Sequence, residues 1–343
     1  MEKLIALLKK AHYKEASDVH LVAGSSPVFR VDGKLMPEKE DRLMPEDTME
    51  MARAILTDKL WDQLQEVREV DLSYGIPGVS RFRVNIFYQR SAISLAFRVI
   101  PRDIPTIDSL GIPQRLKDLV KKPHGLILVT GPTGSGKSTT LASMIDYMNH
   151  EMNRHIITLE DPIEYLHSHN KCIIEQREVG FDTISFKDGL RASLRQDPDV
   201  ILVGELRDLD TIQTAITAAE TGHLVLGTLH TQDTTGTIDR IIDVFPVHQK
   251  NQVRTMLANV LIGVMSQRLF PTLNTKGRVA ATELLINNAA IKNLIRNEKM
   301  HQIPNVLQTS KDQGMHTMEM DMRQLISEKR ISELELLPYV SGQ

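Results

Sequence analysis

The chain of 343 residues is too long for one ordinary hydrophobic core, and its 41% of apolar residues suffices for two or three domains. A net charge of −3 provides no overall attraction to nucleic acid or to an acidic membrane surface. The single cysteine excludes an internal disulfide and a cysteine zinc cage, and no apolar run approaches the roughly 20 residues that span a bilayer.

Residues 1–100 predict a small α+β domain. The chain begins with a pattern typical of a short amphipathic helix, and its acids and the lack of a small-residue cleavage site argue against a signal peptide. Short strands follow, with a turn at Asp32–Gly33. One helix is predicted over residues 45–65, and three further strands complete the domain.

The last two of these strands collect arginines on one face. In "RFRVNIFYQR", residues 81–90, alternate positions place apolar side chains on one face and Arg81 and Arg83 on the other. In the next strand Arg98 also lies opposite the apolar residues. This pattern alone is typical of a solvated sheet face, so a role for the arginines depends on the rest of the chain.

A proline-rich segment, residues 101–113, predicts an extended linker to a second domain, 114–343. There, apolar runs alternate with amphipathic helices, which predicts an α/β fold with a largely parallel sheet. After about residue 248 a helical pattern dominates. It predicts one long apolar helix over 250–270 and a helical cap from about residue 288.

A glycine-rich motif, "GPTGSGKST", follows an apolar strand and opens a helix. Its glycines allow backbone N–H groups to point inward around phosphate groups, its lysine adds a positive charge near the β- and γ-phosphates, and its serine offers a hydroxyl to Mg²⁺. The motif predicts a nucleoside triphosphate site. The predicted binding residues are Gly131, Pro132, Thr133, Gly134, Ser135, Gly136, Lys137, Ser138 and Thr139.

Acidic residues and a histidine end neighbouring predicted strands. Glu205 ends an apolar strand and could hold Mg²⁺ or its water, whereas Asp208 is better interpreted as a helix N-cap. One carboxylate of Glu160, Asp161 and Glu164 could activate the attacking water. His230 is either a surface residue or a sensor of the γ-phosphate.

The order of these motifs resembles that of the secretion ATPases of the type II secretion and type IV pilus superfamily. The motifs lie at residues 131–139, 157–165, 201–208 and 222–231. "ASDVHL" and the arginine strands also fit, so the resemblance covers nearly the whole chain. Three features are typical of the retraction motors within that superfamily. They are the short amino-terminal region, the lack of a four-cysteine zinc site, and "AIKNLIR", residues 290–296, which resembles a motif of those motors. Lys292 stands where those motors have arginine.

The resemblance implies a hexameric ring of subunits, each with a PAS-like amino-terminal domain and a RecA-like motor domain that bind ATP between them. It implies that Glu164 activates water, that Glu205 lies on the Mg²⁺ side, and that Arg83 and Arg98 reach the phosphates. Arg81 is expected to remain a surface residue, and Arg195 and Arg240 are candidate subunit-interface charges. The expected partners are a membrane platform protein and the pilus machinery, at the cytoplasmic face of the inner membrane.

Three other functions remain open at this point. The first is a related ATPase for pilus assembly, secretion or DNA uptake. The second is a RecA-like nucleic-acid motor, which the acidic net charge and the lack of a basic, aromatic stripe disfavour. The third is a regulator that binds nucleotide without hydrolysing it, which the presence of Lys137, Glu164 and Glu205 disfavours.

Overall fold

The computed structural model describes residues 1–101, 103–273 and 277–339. Position 102 of the predicted linker and the last four residues of the predicted second domain lie outside the described residues. By their contacts, residues Met1–Asp103 and Glu164–Leu166 form one unit, and the remaining described residues form another.

The first unit contains an antiparallel sheet of six strands in the order β3-β2-β1-β6-β5-β4. The strands are β1 (Asp18–Val22), β2 (Val28–Val31), β3 (Lys34–Pro37), β4 (Glu69–Ile76), β5 (Ser80–Gln89) and β6 (Ala92–Ile100). Three helices accompany them: α1 (Glu2–Tyr13), α2 (Pro45–Ile55) and α3 (Asp58–Val67). The alternate residues Phe82, Val84 and Ile86 of β5 are fully buried, as their spacing predicts.

The single helix predicted over residues 45–65 is wrong, because the chain forms two helices there. Leu56 has an extended backbone, and Thr57 begins the second helix by accepting a hydrogen bond from the backbone N–H of Leu60. Threonine is a favoured N-cap residue, so the interruption has a local cause.

The second unit contains a sheet of seven strands in the order β13-β12-β7-β11-β10-β8-β9. All neighbours are parallel except β12 and β13. The strands are β7 (Gly125–Thr130), β8 (His155–Glu160), β9 (Ile173–Glu178), β10 (Val200–Val203), β11 (Leu224–Leu229), β12 (Leu261–Pro271) and β13 (Arg278–Ile286). Strands β7, β10 and β11 are buried along their whole length, which explains their continuous apolar sequences.

Helices cover this sheet and form the carboxy-terminal region. They are α4 (Ile107–Leu110), α5 (Leu116–Leu119), α6 (Lys137–Glu151), α7 (Phe186–Ser193), α8 (Leu209–Glu220), α9 (Thr234–Asp243), α10 (Lys250–Val260), α11 (Ala289–Arg296), α12 (Ile303–Thr309) and α13 (Met318–Ser327). The predicted α/β class, with a smaller amino-terminal α+β part and a helical carboxy-terminal region, is confirmed. No helix among the described residues is both long and apolar enough to cross a membrane.

The long apolar helix predicted over residues 250–270 is wrong. The helix α10 ends at Val260, and the chain continues as β12, which pairs with β7 on one side and β13 on the other. The apolar run of residues 261–265 is mostly buried, and such a run has no periodicity that separates helix from strand. Gly263 serves the strand pairing, because a Cβ there would lie 2.8 Å from the carbonyl oxygen of Leu285.

Candidate functional site

The phosphate-loop motif lies between β7 and α6, in the second unit. Gly131, Gly134 and Gly136 have φ angles of +144°, +79° and +90°, which other residue types rarely adopt. Lys137 is the first residue of α6 and is 8% exposed. Its Nζ donates hydrogen bonds to the carbonyl oxygens of Gly131 at 2.9 Å and Pro132 at 3.1 Å. The loop therefore curls around the ammonium group at a helix N-terminus, where anions are favoured.

Three of the predicted site residues meet beside this loop. The Nζ of Lys137 lies 3.5 Å from Nδ1 of His230, and Nε2 of His230 lies 3.3 Å from Oε1 of Glu205. The parallel strands β7, β10 and β11 end at the same edge of the sheet. Strand β7 leads into the phosphate loop that ends at Lys137, and β10 and β11 end one or two residues before Glu205 and His230. The ammonium group of Lys137, the imidazole of His230 and the carboxylate of Glu205 thus form a continuous row of polar contacts at the sheet edge where such folds bind ligands.

Arg207 is a member of this cluster that the sequence interpretation missed. Its guanidinium forms an ion pair with Oε1 of Glu205, and this hydrogen bond raises the pKa of Arg207. The Glu205 side chain is 18% exposed, whereas that of Arg207 is 72% exposed. The sequence shows that a basic residue, Arg207, follows Glu205 by two positions. This spacing alone does not distinguish an arginine that contacts Glu205 from an arginine that is only exposed to solvent.

The three acids around Pro162 have different environments. Glu160 accepts hydrogen bonds from Thr158 at 2.6 Å and from Gln176 at 3.0 Å, so its carboxylate is held within the sheet. Asp161 and Glu164 are exposed. Glu164 groups with the first unit, whereas Lys137, His230 and Glu205 belong to the second.

The capping role predicted for Asp208 is confirmed. Its carboxylate accepts hydrogen bonds from the backbone N–H of Thr211 at 2.9 Å and from the Thr211 hydroxyl at 2.8 Å, at the start of α8. Arg195 and Arg240 are exposed on the second unit.

Arg83 and Arg98 are directly opposite each other in neighbouring strands of the first unit. Asp18 lies on the other side of Arg98, and its carboxylate accepts a hydrogen bond of 3.1 Å from Nε of Arg98. The side chain of Arg83 forms no ion pair within the described residues. Like charges directly opposite each other destabilise a sheet, so this pair is poorly explained as a structural feature. Arg81 is half-buried and bonded to the Ser73 hydroxyl, unlike the surface residue that was expected.

Comparisons with known proteins give a consistent result. The family model described as "Type II/IV secretion system protein" matches residues 1–336. A Pseudomonas aeruginosa protein named "Type IV pilus retractation ATPase PilT" is 48% identical over 317 residues, 92% of each chain. The "Twitching motility protein" of Neisseria gonorrhoeae is 44% identical over 96% of this chain and 88% of its own.

A solved structure is similar over almost the same length. It is titled "Crystal Structure of the Pilus Retraction Motor PilT and Bound ADP", has 49% sequence identity and a TM-score of 0.91, and covers 98% of this chain and 97% of its own. The resemblance deduced from the order of the motifs is therefore confirmed, and the chain belongs to the type II/IV secretion system protein family.

Proposed function

We propose that this protein is an ATPase that drives retraction of type IV pili as a homohexameric ring at the cytoplasmic face of the inner membrane. The observation that carries the proposal is the linked arrangement of Lys137, His230 and Glu205 beside the phosphate loop. Similarity to the retraction motors over nearly the whole chain supports the direction of force. A membrane platform protein and the pilus machinery are the proposed partners.

ATP binds through the phosphate loop, residues 131–139. The buried hydroxyl of Ser135 has no hydrogen-bond partner among the described residues, so a ligand oxygen can accept its proton. A cavity of about 350 Å³ lies beside Gly136 and Thr139, and Leu110, Leu269 and Arg278 also line it. It offers a partly apolar space next to the phosphate-binding backbone, which suits the nucleoside of ATP.

The hydroxyl of Ser138 and the carboxylate of Glu205 are oxygen ligands of the kind that Mg²⁺ prefers, and they would hold it with the nucleotide. Bound there, the ion supplies positive charge to the phosphate oxygens. Glu164 orients or deprotonates the attacking water, and His230 contacts the γ-phosphate while it remains linked to Glu205. Lys137 transfers its hydrogen bonds from the loop carbonyls to the phosphates.

Arg83 and Arg98 complete the site from the amino-terminal domain. We assign residues 1–100 to a PAS-like domain, 101–113 to a linker and 114–343 to the RecA-like ATPase domain. Arg83 forms no ion pair among the described residues, and the Asp18 carboxylate that pairs with Arg98 also lies 3.8 Å from Nε of Arg30, so this face has excess positive charge for an anion. They stabilise the charge that develops on the transferred phosphoryl group, as an arginine finger does.

We expect Arg83→Ala and Arg98→Ala each to lower kcat for ATP by at least about 100-fold while ADP affinity stays within a few-fold. The reason is that these charges act on the transition state rather than on the bound diphosphate. Steady-state turnover and titration with a fluorescent ADP analogue measure the two quantities. Arg81→Ala, on the same strand face, is the matched control and should retain most activity. Equal losses at all three positions would favour a general effect of surface charge.

The motif of residues 290–296 lies on α11, whose Ile291, Leu294 and Ile295 are buried. Lys292 lines a cavity of about 400 Å³ near the start of β7, and Arg296 donates a 2.5 Å hydrogen bond to Asn259. The buried apolar residues of the motif account for its packing, and Lys292 and Arg296 place their charges outside that buried face. We propose that this surface couples hydrolysis to pilus movement.

Deleting the gene should leave pili on the cell surface and abolish their retraction, seen as loss of twitching motility. Complementation with Lys292→Ala or Arg296→Ala should fail to restore retraction although the purified variants keep most ATPase activity. Arg296 is exposed, Lys292 is half-buried, and neither belongs to the buried apolar face of α11. Complementation with Lys299→Ala, an exposed lysine just after α11, is the control and should restore motility. Loss of pili on deletion would instead indicate an assembly ATPase, and normal motility with both variants would contradict the coupling role.

A further inference from the structure

Gln267, in β12, connects that strand to the phosphate loop. Its side chain is buried, and the residue is only 3% exposed. The Nε2 donates a 2.8 Å hydrogen bond to the carbonyl oxygen of Ser135, in the middle of the loop. The Oε1 accepts a 2.7 Å hydrogen bond from the Thr140 hydroxyl, in the first turn of α6. One amide therefore holds both the loop and the helix that follows it.

The loop is also packed tightly against Gln267. A Cβ at Gly131 would lie 2.3 Å from the backbone oxygen of Gln267, and a Cβ at Gly136 would lie 2.9 Å from its Nε2. Both glycines have positive φ angles as well. Two of the three loop glycines are thus required by the close approach of this one residue, in addition to their backbone conformation.

The hydrogen bond to Ser135 determines where the next N–H group points. The peptide unit between Ser135 and Gly136 is planar and trans, so its C=O and N–H point in opposite directions. Because Gln267 holds the C=O toward β12, the N–H of Gly136 points away from the strand. A phosphate-binding loop needs its N–H groups to converge on the anion and not on the sheet.

We infer that Gln267 is a positioning residue for nucleotide binding, which orients the Ser135–Gly136 peptide so that its N–H faces the β-phosphate. This inference rests on the proposed ATPase function. An apolar residue of the same size would fill this buried position in β12 equally well. The presence of an amide is therefore explained by the two hydrogen bonds that it makes. The inferred role concerns phosphate recognition. Gln267 and Thr140 both also line the cavity proposed for the nucleoside, so a contribution from that cavity would appear in variants of either residue.

The test compares ADP and AMP binding to the purified full chain by calorimetry. Gln267→Met removes the amide at nearly constant volume, and Gln267→Glu keeps an acceptor for Thr140 but removes the donor to Ser135. In both variants we expect ADP affinity to fall about tenfold or more while AMP affinity changes little. The reason is that the N–H of Gly136 is no longer oriented to donate a hydrogen bond to the charged β-phosphate. A purely structural role would weaken both ligands together.

Thr140→Val is the matched control, because it removes the other hydrogen bond of the same amide and leaves the bond to Ser135. It should keep the ratio of ADP to AMP affinity close to that of the wild type. An unchanged ratio in the Gln267 variants that fold, or an equal change in Thr140→Val, would overturn the inference. The two proposals fail separately. If Lys137→Ala no longer hydrolyses ATP but Gln267→Glu binds ADP as tightly as the wild type, the inference about Gln267 fails and the proposed ATPase function stands.

Discussion

Lys137→Ala should abolish ATP hydrolysis, with turnover falling by at least about 100-fold and ATP affinity also reduced. Lys137 supplies the only side-chain cation that the structure places inside the curl of the loop among the described residues, with Nζ at 2.9 Å and 3.1 Å from two loop carbonyl oxygens. Removing it takes away the charge that faces the β- and γ-phosphates. Phosphate release and titration with a fluorescent ATP analogue measure the two effects.

Lys122→Ala is the control for this substitution, because Lys122 is exposed on the same unit. It should hydrolyse ATP at the wild-type rate. Turnover close to the wild-type rate in Lys137→Ala would contradict the assignment of the phosphate loop, and with it the proposed enzymatic activity.

Glu205→Gln should lower kcat by about 100-fold or more with ATP still bound, the size of loss expected when a catalytic or metal-positioning carboxylate is removed. Glutamine keeps the shape of the side chain but removes the charge that pairs with His230 and Arg207. Glu164→Gln should cause a loss of the same order, because its carboxylate is proposed to act on the water. Parallel measurements of turnover and nucleotide affinity separate binding from chemistry.

Glu220→Gln replaces an exposed acid at the end of α8 and is the control. It should retain the wild-type kcat. If Glu164→Gln also retains it while Glu205→Gln does not, the water-activating role of Glu164 is wrong and the carboxylate of Glu205 remains the candidate.

Local sequence was sufficient where the determining interactions are local. The phosphate loop follows from glycine spacing, the strand-ending Glu205 from an apolar run, and the cap at Asp208 from its place before a helix. Each of these features depends on residues within a few positions, so the pattern contains the physical cause. The alternation that predicts the buried face of β5 is of the same kind.

Interactions between distant parts of the chain could not be predicted in this way. Strand β12 is determined by its pairing with β7 and β13, and the apolar run at its start, residues 261–265, suits a buried helix equally well. Gln267 lies 132 residues from its partner Ser135. The neighbours Arg83 and Arg98 were identified as sharing a face, but their direct pairing and the contact of Arg98 with Asp18 depend on strand register.

The packing of the loop glycines against β12 has a consequence for conformational entropy. Ordering the backbone of one residue costs about 1–2 kcal/mol, and glycine, with the widest freedom in the unfolded chain, loses the most. Gly131 and Gly136 are fixed by contacts with Gln267 that form when the second unit folds. The entropy of the loop is therefore lost during folding and not when ATP binds. The phosphates meet an ordered backbone, so more of their interaction free energy remains to drive the motion of the motor.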